Sequence, residues 1–415
     1  MKIEQFTVYR DDLKIRGIAY VSDISDDDAQ NKRPAIIMSH GFMANLSGFK
    51  YFAESFYKMG YNVYTFNFCC GSDETDENLK SDGESTDLCL ESEIQDLTAV
   101  YNYVSLQKCV KNDEIYLLGE SQGGLVSGLT AARFQEKVKK LIMIFPAVCI
   151  PDHARAGLLG GAVYDPKNPP ETMETPRCTL GRAFHDDVKD MNPYFELAKY
   201  KGETLLIQGS VDSIVVPEYQ YLVKDWFDRT DECESGETIS DGSESINKKH
   251  RLKFQMVRGM DHWTGGDHKD SLVESIKYFI DGKTEILTFR IIVTKVVPLD
   301  ENDKNEEQKE KMIHEQDVYF TGYCESELFT GSIIEGVDHQ SYKGNECLGL
   351  NAIYKFVGTG SDGNYAELSV CNSKRDGAWK PEIKTNSETL SWLNTADLYA
   401  VVEPGTKGPT IRIYK

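Results

Sequence analysis

Short apolar runs alternate with longer segments of helical periodicity over the first two thirds of the chain. Several runs are apolar almost throughout, as expected for strands buried on both faces of a parallel sheet. They lie at residues 34–42, 61–68, 115–118, 140–146, 203–209 and 252–257. The intervening helical patterns lie at 48–59, 91–104, 125–134, 217–227 and 270–280. Residues 3–8 and 13–21 instead alternate apolar and polar side chains and predict a hairpin. This order of elements predicts an α/β fold with a mainly parallel central sheet.

Two segments interrupt the alternation of strands and helices. Residues 147–200, here named the insertion, are rich in Pro, Gly and Asp and follow the apolar run at 140–146. Because ligands bind at the carboxyl edge of such sheets, a long insertion at this place predicts a lid over a binding site. Residues 230–249 are polar, acidic and serine-rich, which predicts a mobile surface excursion.

The pattern changes near Lys283, after which no helical period is visible. Short β-like runs follow between turns rich in Gly, Asp, Ser and Asn, at 286–297, 317–323, 328–334, 348–357, 365–371, 387–393, 397–402 and 410–414. We therefore predict an α/β domain over 1–283 and a separate all-β domain over 284–415, a small closed or nearly closed barrel.

Two predicted strands of the second domain each carry two aromatic residues on the same face. Tyr319 and Tyr323 share one face of their strand, as do Tyr354 and Phe356 on theirs. Aromatic residues at this spacing are predicted to be core residues rather than a sugar-binding platform.

Composition and charge narrow the range of partners. Of the 415 residues, 40% are hydrophobic, which is enough for two ordinary cores. The net charge of −21 repels phosphate backbones and anionic lipids, so neither nucleic acid nor a membrane is an expected partner. No apolar run reaches the length of a membrane span and the N-terminus lacks an apolar signal core, so a cytoplasmic location is expected. The ten cysteines form no C-x-x-C pattern, which predicts reduced thiols and no metal site.

The candidate chemistry centres on residues 119–124, Gly-Glu-Ser-Gln-Gly-Gly, here named the elbow. A predicted strand precedes it and a helical pattern follows, and in this context G-x-S-x-G places a serine at the tip of a sharp turn. Side chains at Gly119 or Gly123 would collide with neighbouring backbone in so tight a turn. Ser121 is therefore the predicted nucleophile, and the alternative is a glycine-rich loop with a solvated serine.

A serine nucleophile needs a base and an acid from the same edge of the sheet, in the chain order Ser, Asp or Glu, His. Asp212 and His262 each follow a predicted strand of the α/β domain. We predict that His262 is the general base and that Asp212 orients it. Asp261 and His268 are the competing acid and base and rank lower. The other histidines lack a strand-end context and are assigned structural roles, namely His153, His185, His250, His314 and His339.

A tetrahedral intermediate carries an oxyanion that needs preformed hydrogen-bond donors. The amide after the nucleophile and an amide from an earlier strand-end turn supply them in this kind of site. The predicted donors are the amides of Gln122 and Phe42, and Phe42 lies in the turn His40-Gly41-Phe42. The alternative for that turn is a plain strand end.

These features together resemble the α/β-hydrolases, and more narrowly the bacterial cinnamoyl esterases, also named feruloyl or chlorogenate esterases. The matching motifs are His40-Gly41-Phe42, Phe66-Asn67-Phe68, 81–86, the elbow, Tyr164-Asp165-Pro166, Leu180-Gly181-Arg182 and Met260-Asp261-His262. They extend over about residues 1–283. The resemblance implies an α/β-hydrolase fold with an inserted lid. It also implies a serine esterase that cleaves small hydroxycinnamoyl esters through an acyl-enzyme, without a cofactor.

In that family a polar lid residue contacts the phenolic hydroxyl of the substrate. By position the resemblance assigns this contact to Asp152 or Asp165, with His40 as a further substrate-binding candidate. The chain departs from the family at Cys69-Cys70, where relatives carry a Gly-His type pair, and in the excursion at 230–249.

Two other interpretations of the first domain stay open. The same residues would serve a general short-chain acyl esterase, a lipase or a thioesterase, whereas a catalytically idle hydrolase fold would act as a binding protein. The second domain resembles a small bacterial barrel domain of unknown function through 329–338 and Asp362-Gly363, which implies no activity. The role of this second domain stays open. It would cover the insertion, form a homodimer contact or tether the small-molecule ester.

Overall fold

The structure is a computed structural model that describes residues 1–22, 32–235, 251–299, 313–344, 346–375 and 377–415. The chain divides into two compact units, Met1–Gly265 and Gly266–Lys415. The last helix before residue 283 therefore groups with the second unit, and the boundary drawn at 283 from sequence character stays a prediction. Residues 236–249 of the predicted excursion, and His250, lie outside the described ranges.

An eight-stranded sheet forms the centre of the first unit. The strands of the unit are β1 (Lys2–Arg10), β2 (Leu13–Val21), β3 (Arg33–Ser39), β4 (Asn62–Phe66), β5 (Val110–Glu120), β6 (Lys140–Ile144), β7 (Thr172–Glu174), β8 (Thr179–Gly181), β9 (Glu203–Gly209) and β10 (Leu252–Val257). The sheet order is β1-β2-β4-β3-β5-β6-β9-β10, and β7 pairs with β8 in a separate hairpin. The pairings of β1 with β2 and of β2 with β4 are antiparallel, and the others in the sheet are parallel. The predicted hairpin and mainly parallel sheet are confirmed.

The first unit has seven α-helices in the described ranges, and the four outside the insertion follow the predicted alternation. The seven are α1 (Lys50–Lys58), α2 (Leu90–Ser105), α3 (Ser121–Phe134), α4 (Ile150–Ala156), α5 (Arg182–Val188), α6 (Pro193–Leu197) and α7 (Glu218–Ser235). Because α7 continues through Ser235, residues 230–235 are helical and the predicted excursion is wrong for them. None of the helices in the described ranges combines the length and the apolar character that a membrane crossing needs.

Helix α2 illustrates how the sequence specifies these elements. Cys89 and Ser92 form a capping box that satisfies backbone amides at the start of the helix. Leu90, Ile94 and Leu97 then recur at helical spacing on its buried side. The cap defines where the helix begins, and the apolar stripe defines the side that packs on the core.

The middle strands of the sheet are buried on both faces. Ile36 and Ile37 of β3 point to opposite faces, and both are 0% exposed. Leu117 and Leu118 of β5 are likewise fully buried. Apolar runs therefore place β3 and β5 in the interior, and the parallel pairing brings the carboxyl ends of β3, β5, β6, β9 and β10 to one edge.

The insertion folds into regular elements, namely α4, α5, α6, the β7–β8 hairpin and a 3-10 helix at Leu159–Gly161. Buried Leu180 and Phe184 join it to the hydrophobic core of the first unit. That the insertion acts as a lid stays a prediction.

The second unit consists of helix α8 (Lys269–Ile280) and a closed antiparallel barrel. The barrel strands are β11 (Glu285–Pro298), β12 (Ile313–Ser326), β13 (Phe329–Lys343), β14 (Glu346–Gly360), β15 (Tyr365–Arg375), β16 (Ala378–Thr385), β17 (Tyr399–Glu403) and β18 (Thr410–Tyr414). Each strand pairs with the next, and the pairing of β18 with β11 closes the barrel. The predicted all-β barrel is confirmed.

Two details of the barrel differ from the sequence prediction. The run 387–393 is not a strand, because Leu390 and Leu393 recur every three residues and are buried around a 3-10 helix. Strand β16 was not predicted, because Pro381 and the charged residues on either side of it weaken the β signal. Pro381 and Ile383 nevertheless alternate inward along this strand.

The aromatic pairs of the barrel also divide. Tyr354 and Phe356 are 2% and 0% exposed and form part of the barrel core, as predicted. Tyr319 and Tyr323 are 41% and 37% exposed, so the prediction that they are core residues is wrong. The inward positions of β12 are occupied by its alternate residues, among them Phe320, which leaves both tyrosines on the outer face.

Candidate active site

The elbow joins β5 to α3, with Ser121 as the first residue of the helix. The φ of Ser121 is 55°, in the left-handed region that residues with side chains rarely adopt. A Cβ on Gly123 would lie 2.2 Å from the carbonyl oxygen of Ser39, and one on Gly119 would lie 2.2 Å from that of Gly123. The predicted close approach at both glycines is confirmed, because only a hydrogen fits between these backbones.

The loop after β10 brings His262 to the nucleophile candidate. Nε2 of His262 lies 2.9 Å from Oγ of Ser121, and Nδ1 lies 2.7 Å from Oδ2 of Asp212. Because an ionised Asp212 only accepts hydrogen bonds, Nδ1 carries the proton and Nε2 accepts from the serine hydroxyl. The ring of Phe145 packs on the imidazole with centroids 4.2 Å apart. Three side chains from three separate loops thus form one hydrogen-bonded chain.

The carboxylate of Asp212 is buried and fully supplied with donors. Its Oδ1 accepts from the amides of Ile214 and Val215, each at 2.9 Å. Its Oδ2 accepts from Nε2 of Gln208 at 3.2 Å in addition to His262. Burial opposes ionisation, but the hydrogen bonds from His262 and the two amides outweigh it and hold the pKa of Asp212 below its ordinary value. Asp212 is therefore a carboxylate that keeps the imidazole in one orientation.

The competing acid does not join this chain of hydrogen bonds. Asp261 precedes His262 but its side chain is exposed. His268 is the N-cap residue of α8 in the second unit. Elsewhere His185 contacts the hydroxyl of Tyr164, and His339 contacts Asp317.

Residues 40–44, here named the His40 turn, lie directly beside Ser121. A Cβ on Gly41 would lie 3.1 Å from Cβ of Ser121, so a larger residue at position 41 would press on Ser121. The amide of Gln122 lies in the first turn of α3, where N–H groups have no acceptor within the helix. The structure brings both predicted donor segments to Ser121, and the oxyanion roles of Phe42 and Gln122 stay predictions.

The ring of His40 is buried within the His40 turn. Its Nδ1 lies 2.8 Å from the carbonyl oxygen of Gly41, and its Nε2 accepts from the amide of Phe68 at 3.2 Å. Burial lowers the pKa of His40 to about 4, so the ring is neutral near pH 7. Both ring nitrogens have main-chain partners within or next to the turn. The predicted contact of His40 with a substrate stays a prediction.

The two candidate acids of the insertion have local partners. Asp152 on α4 forms an ion pair with Arg155. Asp165 is exposed and accepts from the amide of Lys167 at 3.0 Å, as in a turn. Their contact with a substrate stays a prediction.

Two carboxyl groups, one beside the elbow and one within it, make contacts that were not predicted. Glu93 on α2 is 1% exposed, and its Oε2 accepts from Nε2 of Gln122 at 2.8 Å. Oε2 of Glu120 accepts from Oγ1 of Thr264 at 3.0 Å, which links the elbow to the loop that carries His262. Burial raises the pKa of both groups. The sequence contains one indication of the role of Glu93, because this charged residue lies on the apolar side of α2.

Comparisons with known proteins agree with this architecture. Residues 34–174 match a family model described as the alpha/beta hydrolase fold. A search of curated proteins finds no significant match to this chain.

Several solved structures are similar to this one. Est1E from Butyrivibrio proteoclasticus with ferulic acid bound is 22% identical, with 67% of this chain and 98% of that chain covered and a TM-score of 0.55. The alpha/beta hydrolase GrgF from Penicillium sp. sh18 is 16% identical, with 68% and 99% covered and a TM-score of 0.51. DcsB in complex with its substrate analogue is 21% identical, with 68% and 99% covered and a TM-score of 0.50. The likeness establishes a fold, and the first unit of this chain has the alpha/beta hydrolase fold.

Proposed function

We propose that the first unit is a serine carboxylesterase. The observation that carries this proposal is the hydrogen-bonded chain Ser121–His262–Asp212, with 2.9 Å between the serine and the imidazole and 2.7 Å between the imidazole and the carboxylate. These distances are within the range for proton transfer between nucleophile and base.

The reaction proceeds in two halves. Nε2 of His262 takes the proton of the Ser121 hydroxyl while Oγ attacks the ester carbonyl carbon, and the amides of Phe42 and Gln122 receive the oxyanion. The imidazolium then gives its proton to the departing alkoxide, which leaves an acyl group on Ser121. A water molecule, deprotonated by Nε2 of His262, then attacks the acyl carbon. As the bond between this carbon and Oγ of Ser121 breaks, the imidazolium returns the proton to Oγ, which releases the acid and the free serine. Asp212 keeps the imidazole oriented and stabilises its charged form in both halves.

The proposed substrates are small hydroxycinnamoyl esters of the feruloyl or caffeoyl type. Two observations support this class. The sequence motifs resemble the cinnamoyl esterases, and the similar fold of Est1E was solved with ferulic acid bound to that protein. The same three residues would also serve a short-chain acyl esterase, a lipase or a thioesterase, and substrate comparison distinguishes these outcomes.

A fluorophosphonate probe tests the mechanism, because it labels only an activated serine. We expect labelling of the unmodified protein, loss of labelling in Ser121→Ala, and full labelling in the control Ser213→Ala, which removes an exposed serine next to Asp212. Absence of labelling in the unmodified protein would favour a binding protein with an idle hydrolase fold.

Turnover of methyl ferulate, chlorogenate and a series of simple acyl esters tests the substrate class. The proposal expects kcat/KM to be highest for the two aromatic esters. If turnover follows chain length and ignores the aromatic ring, the hydroxycinnamoyl assignment is wrong and a general acyl esterase is the better description.

A further inference from the structure

We propose that Arg177 of the insertion is a positioning residue that holds the His40 turn in the conformation needed for the oxyanion. This inference rests on the proposed function, because it matters only if the turn receives the charge of a tetrahedral intermediate. Arg177 lies between β7 and β8, far from the turn in sequence. Nothing in the pattern of the chain predicts the contact.

The guanidinium of Arg177 joins two successive peptide groups of the turn. Its Nη1 donates to the carbonyl oxygen of Phe42 at 3.1 Å and to that of Met43 at 2.9 Å. A planar guanidinium presents its donors in fixed directions, so one side chain restrains the orientation of both carbonyls. The direction of the neighbouring Phe42 amide, the proposed oxyanion donor, depends on the same backbone torsions.

The His40 turn has a conformation that needs such support. The φ of Met43 is 46°, in the left-handed region that is unfavourable for a residue with a side chain. Strained backbone of this kind persists only where the surroundings hold it in place. The two hydrogen bonds of Arg177 act on the carbonyl of Met43 itself and on the peptide that precedes it.

Other contacts bring the insertion onto the same turn. The rings of Phe42 and Phe184 stack with centroids 6.5 Å apart and an angle of 9° between their planes. A Cβ on Gly160 would lie 3.2 Å from the Phe42 ring, so this glycine leaves room for it. The insertion therefore contacts the turn both through the Phe42 side chain and, by Arg177, through its backbone.

Arg177 itself is anchored at the end of the β7–β8 hairpin. Oγ1 of Thr175 accepts from the amides of Arg177 and Cys178, at 3.1 and 2.9 Å, and donates to the carbonyl of Cys178 at 2.7 Å. These bonds define the backbone from which the arginine reaches the turn. The hairpin thus positions Arg177, and Arg177 in turn restrains the backbone that carries the Phe42 amide.

The test compares Arg177→Gln and Arg177→Lys with the matched control Arg155→Gln. Nη1 of Arg155 also donates to two main-chain carbonyls, those of Lys189 at 2.8 Å and Met191 at 3.4 Å, but both lie inside the insertion. For each protein we measure kcat and KM with p-nitrophenyl butyrate, the melting temperature, and the dissociation constant of phenylboronic acid. Boronic acids form a tetrahedral adduct with an activated serine, so their affinity reports the oxyanion donors without turnover.

We expect Arg177→Gln to lower kcat by about 10- to 100-fold and to weaken the boronic acid by a similar factor, with little change in KM. Arg177→Lys retains one cationic donor and is expected to fall between the unmodified protein and Arg177→Gln. Arg155→Gln is expected to keep both kcat and boronic acid affinity.

Unchanged kcat and boronic acid affinity in Arg177→Gln would overturn this inference while leaving the proposed function intact. Equal losses in Arg177→Gln and Arg155→Gln would overturn it as well, because they would reflect the general stability of the insertion. An unmodified protein that neither hydrolyses the ester nor reacts with a fluorophosphonate would instead overturn the proposed function, and this inference with it.

Discussion

Asp212 accepts more hydrogen bonds than an aspartate in a surface turn usually does, and these bonds define the position of its carboxylate. Two main-chain amides, one side-chain amide and the imidazole of His262 surround its carboxylate. The backbone amides fix the position of the carboxylate, and the carboxylate fixes the ring. The orientation of the His262 imidazole is therefore set before any substrate arrives.

Replacing Asp212 by Asn is expected to lower kcat by about 10⁴-fold, since the amide favours the wrong tautomer of His262. The control is Asp261→Asn, which changes an exposed acid beside the same histidine and should leave kcat unchanged. Steady-state kinetics on one aromatic ester measures both. A large loss in Asp261→Asn with little effect of Asp212→Asn would exchange their roles.

His40 predicts a pH dependence of stability. Burial lowers its pKa from 6.5 to about 4, so the unfolded chain binds a proton at a pH where the folded protein does not. The free energy of unfolding should therefore fall as the pH drops from 6.5 towards 4, by about 3 kcal/mol from this group. Urea unfolding of the unmodified protein and of His40→Asn, at pH 7 and at pH 4, isolates the contribution. Equal losses in the two proteins would contradict it.

At the scale of elements, the site depends on three backbone segments packed so closely that no side chain fits between them. Strand β3, strand β5 and helix α3 meet at Gly119 and Gly123, and the sharp turn between β5 and α3 carries Ser121. This contact also explains why Ser121 keeps a left-handed backbone conformation. The packed strand and helix leave the chain no other path.

Gly123→Ala is expected to destabilise the first unit by about 3 kcal/mol or more, because its Cβ would lie 2.2 Å from a main-chain oxygen that cannot move freely. Gly48→Ala provides the matched control, since no atom lies within 4 Å of the added Cβ, and its effect should stay within about 0.5 kcal/mol. Thermal unfolding and fluorophosphonate labelling measure the two consequences. Normal stability and labelling in Gly123→Ala would contradict the packing described for the elbow.

At the scale of the whole molecule, each compact unit has a hydrophobic core of its own. The second unit adds a buried charge cluster to its core. Nε of Arg412 donates to Glu403 at 2.6 Å, and Nη1 donates to both carboxylate oxygens of Glu285 at 3.1 Å. The side chains of Arg412 and Glu403 are 5% and 1% exposed. Removing either charge would therefore leave the other buried without its partner and destabilise the fold.

Glu403→Gln is expected to destabilise the second unit by about 3 kcal/mol, because Arg412 would keep its charge in a buried site and lose a carboxylate. Glu382→Gln, which breaks the exposed pair with Arg375, should cost less than about 1 kcal/mol. Hydrogen exchange of β17 and β18, followed by mass spectrometry, measures both changes in the unit that carries them. Equal protection in the two variants would argue against a stabilising role for the buried cluster.

Prediction from the sequence succeeded where the signal is local. Continuous apolar runs identified β3 and β5, and the two glycines of the elbow predicted a sharp turn. It failed where a strand or a side chain depends on its neighbours in space. Strand β16 was not predicted because it contains Pro381. The spacing of Tyr319 and Tyr323 showed that they share a face of their strand, but not whether this face points into the barrel.

The sequence by itself determined the order of strands and helices, the elbow, and the chain order of Ser121, Asp212 and His262, because periodicity and turn chemistry are properties of neighbouring residues. Only the tertiary structure decided that Glu93 supports Gln122 and that Arg177 holds the His40 turn. Such contacts join residues far apart in the chain, and the packing of whole elements, rather than any local pattern, brings them within hydrogen-bond distance.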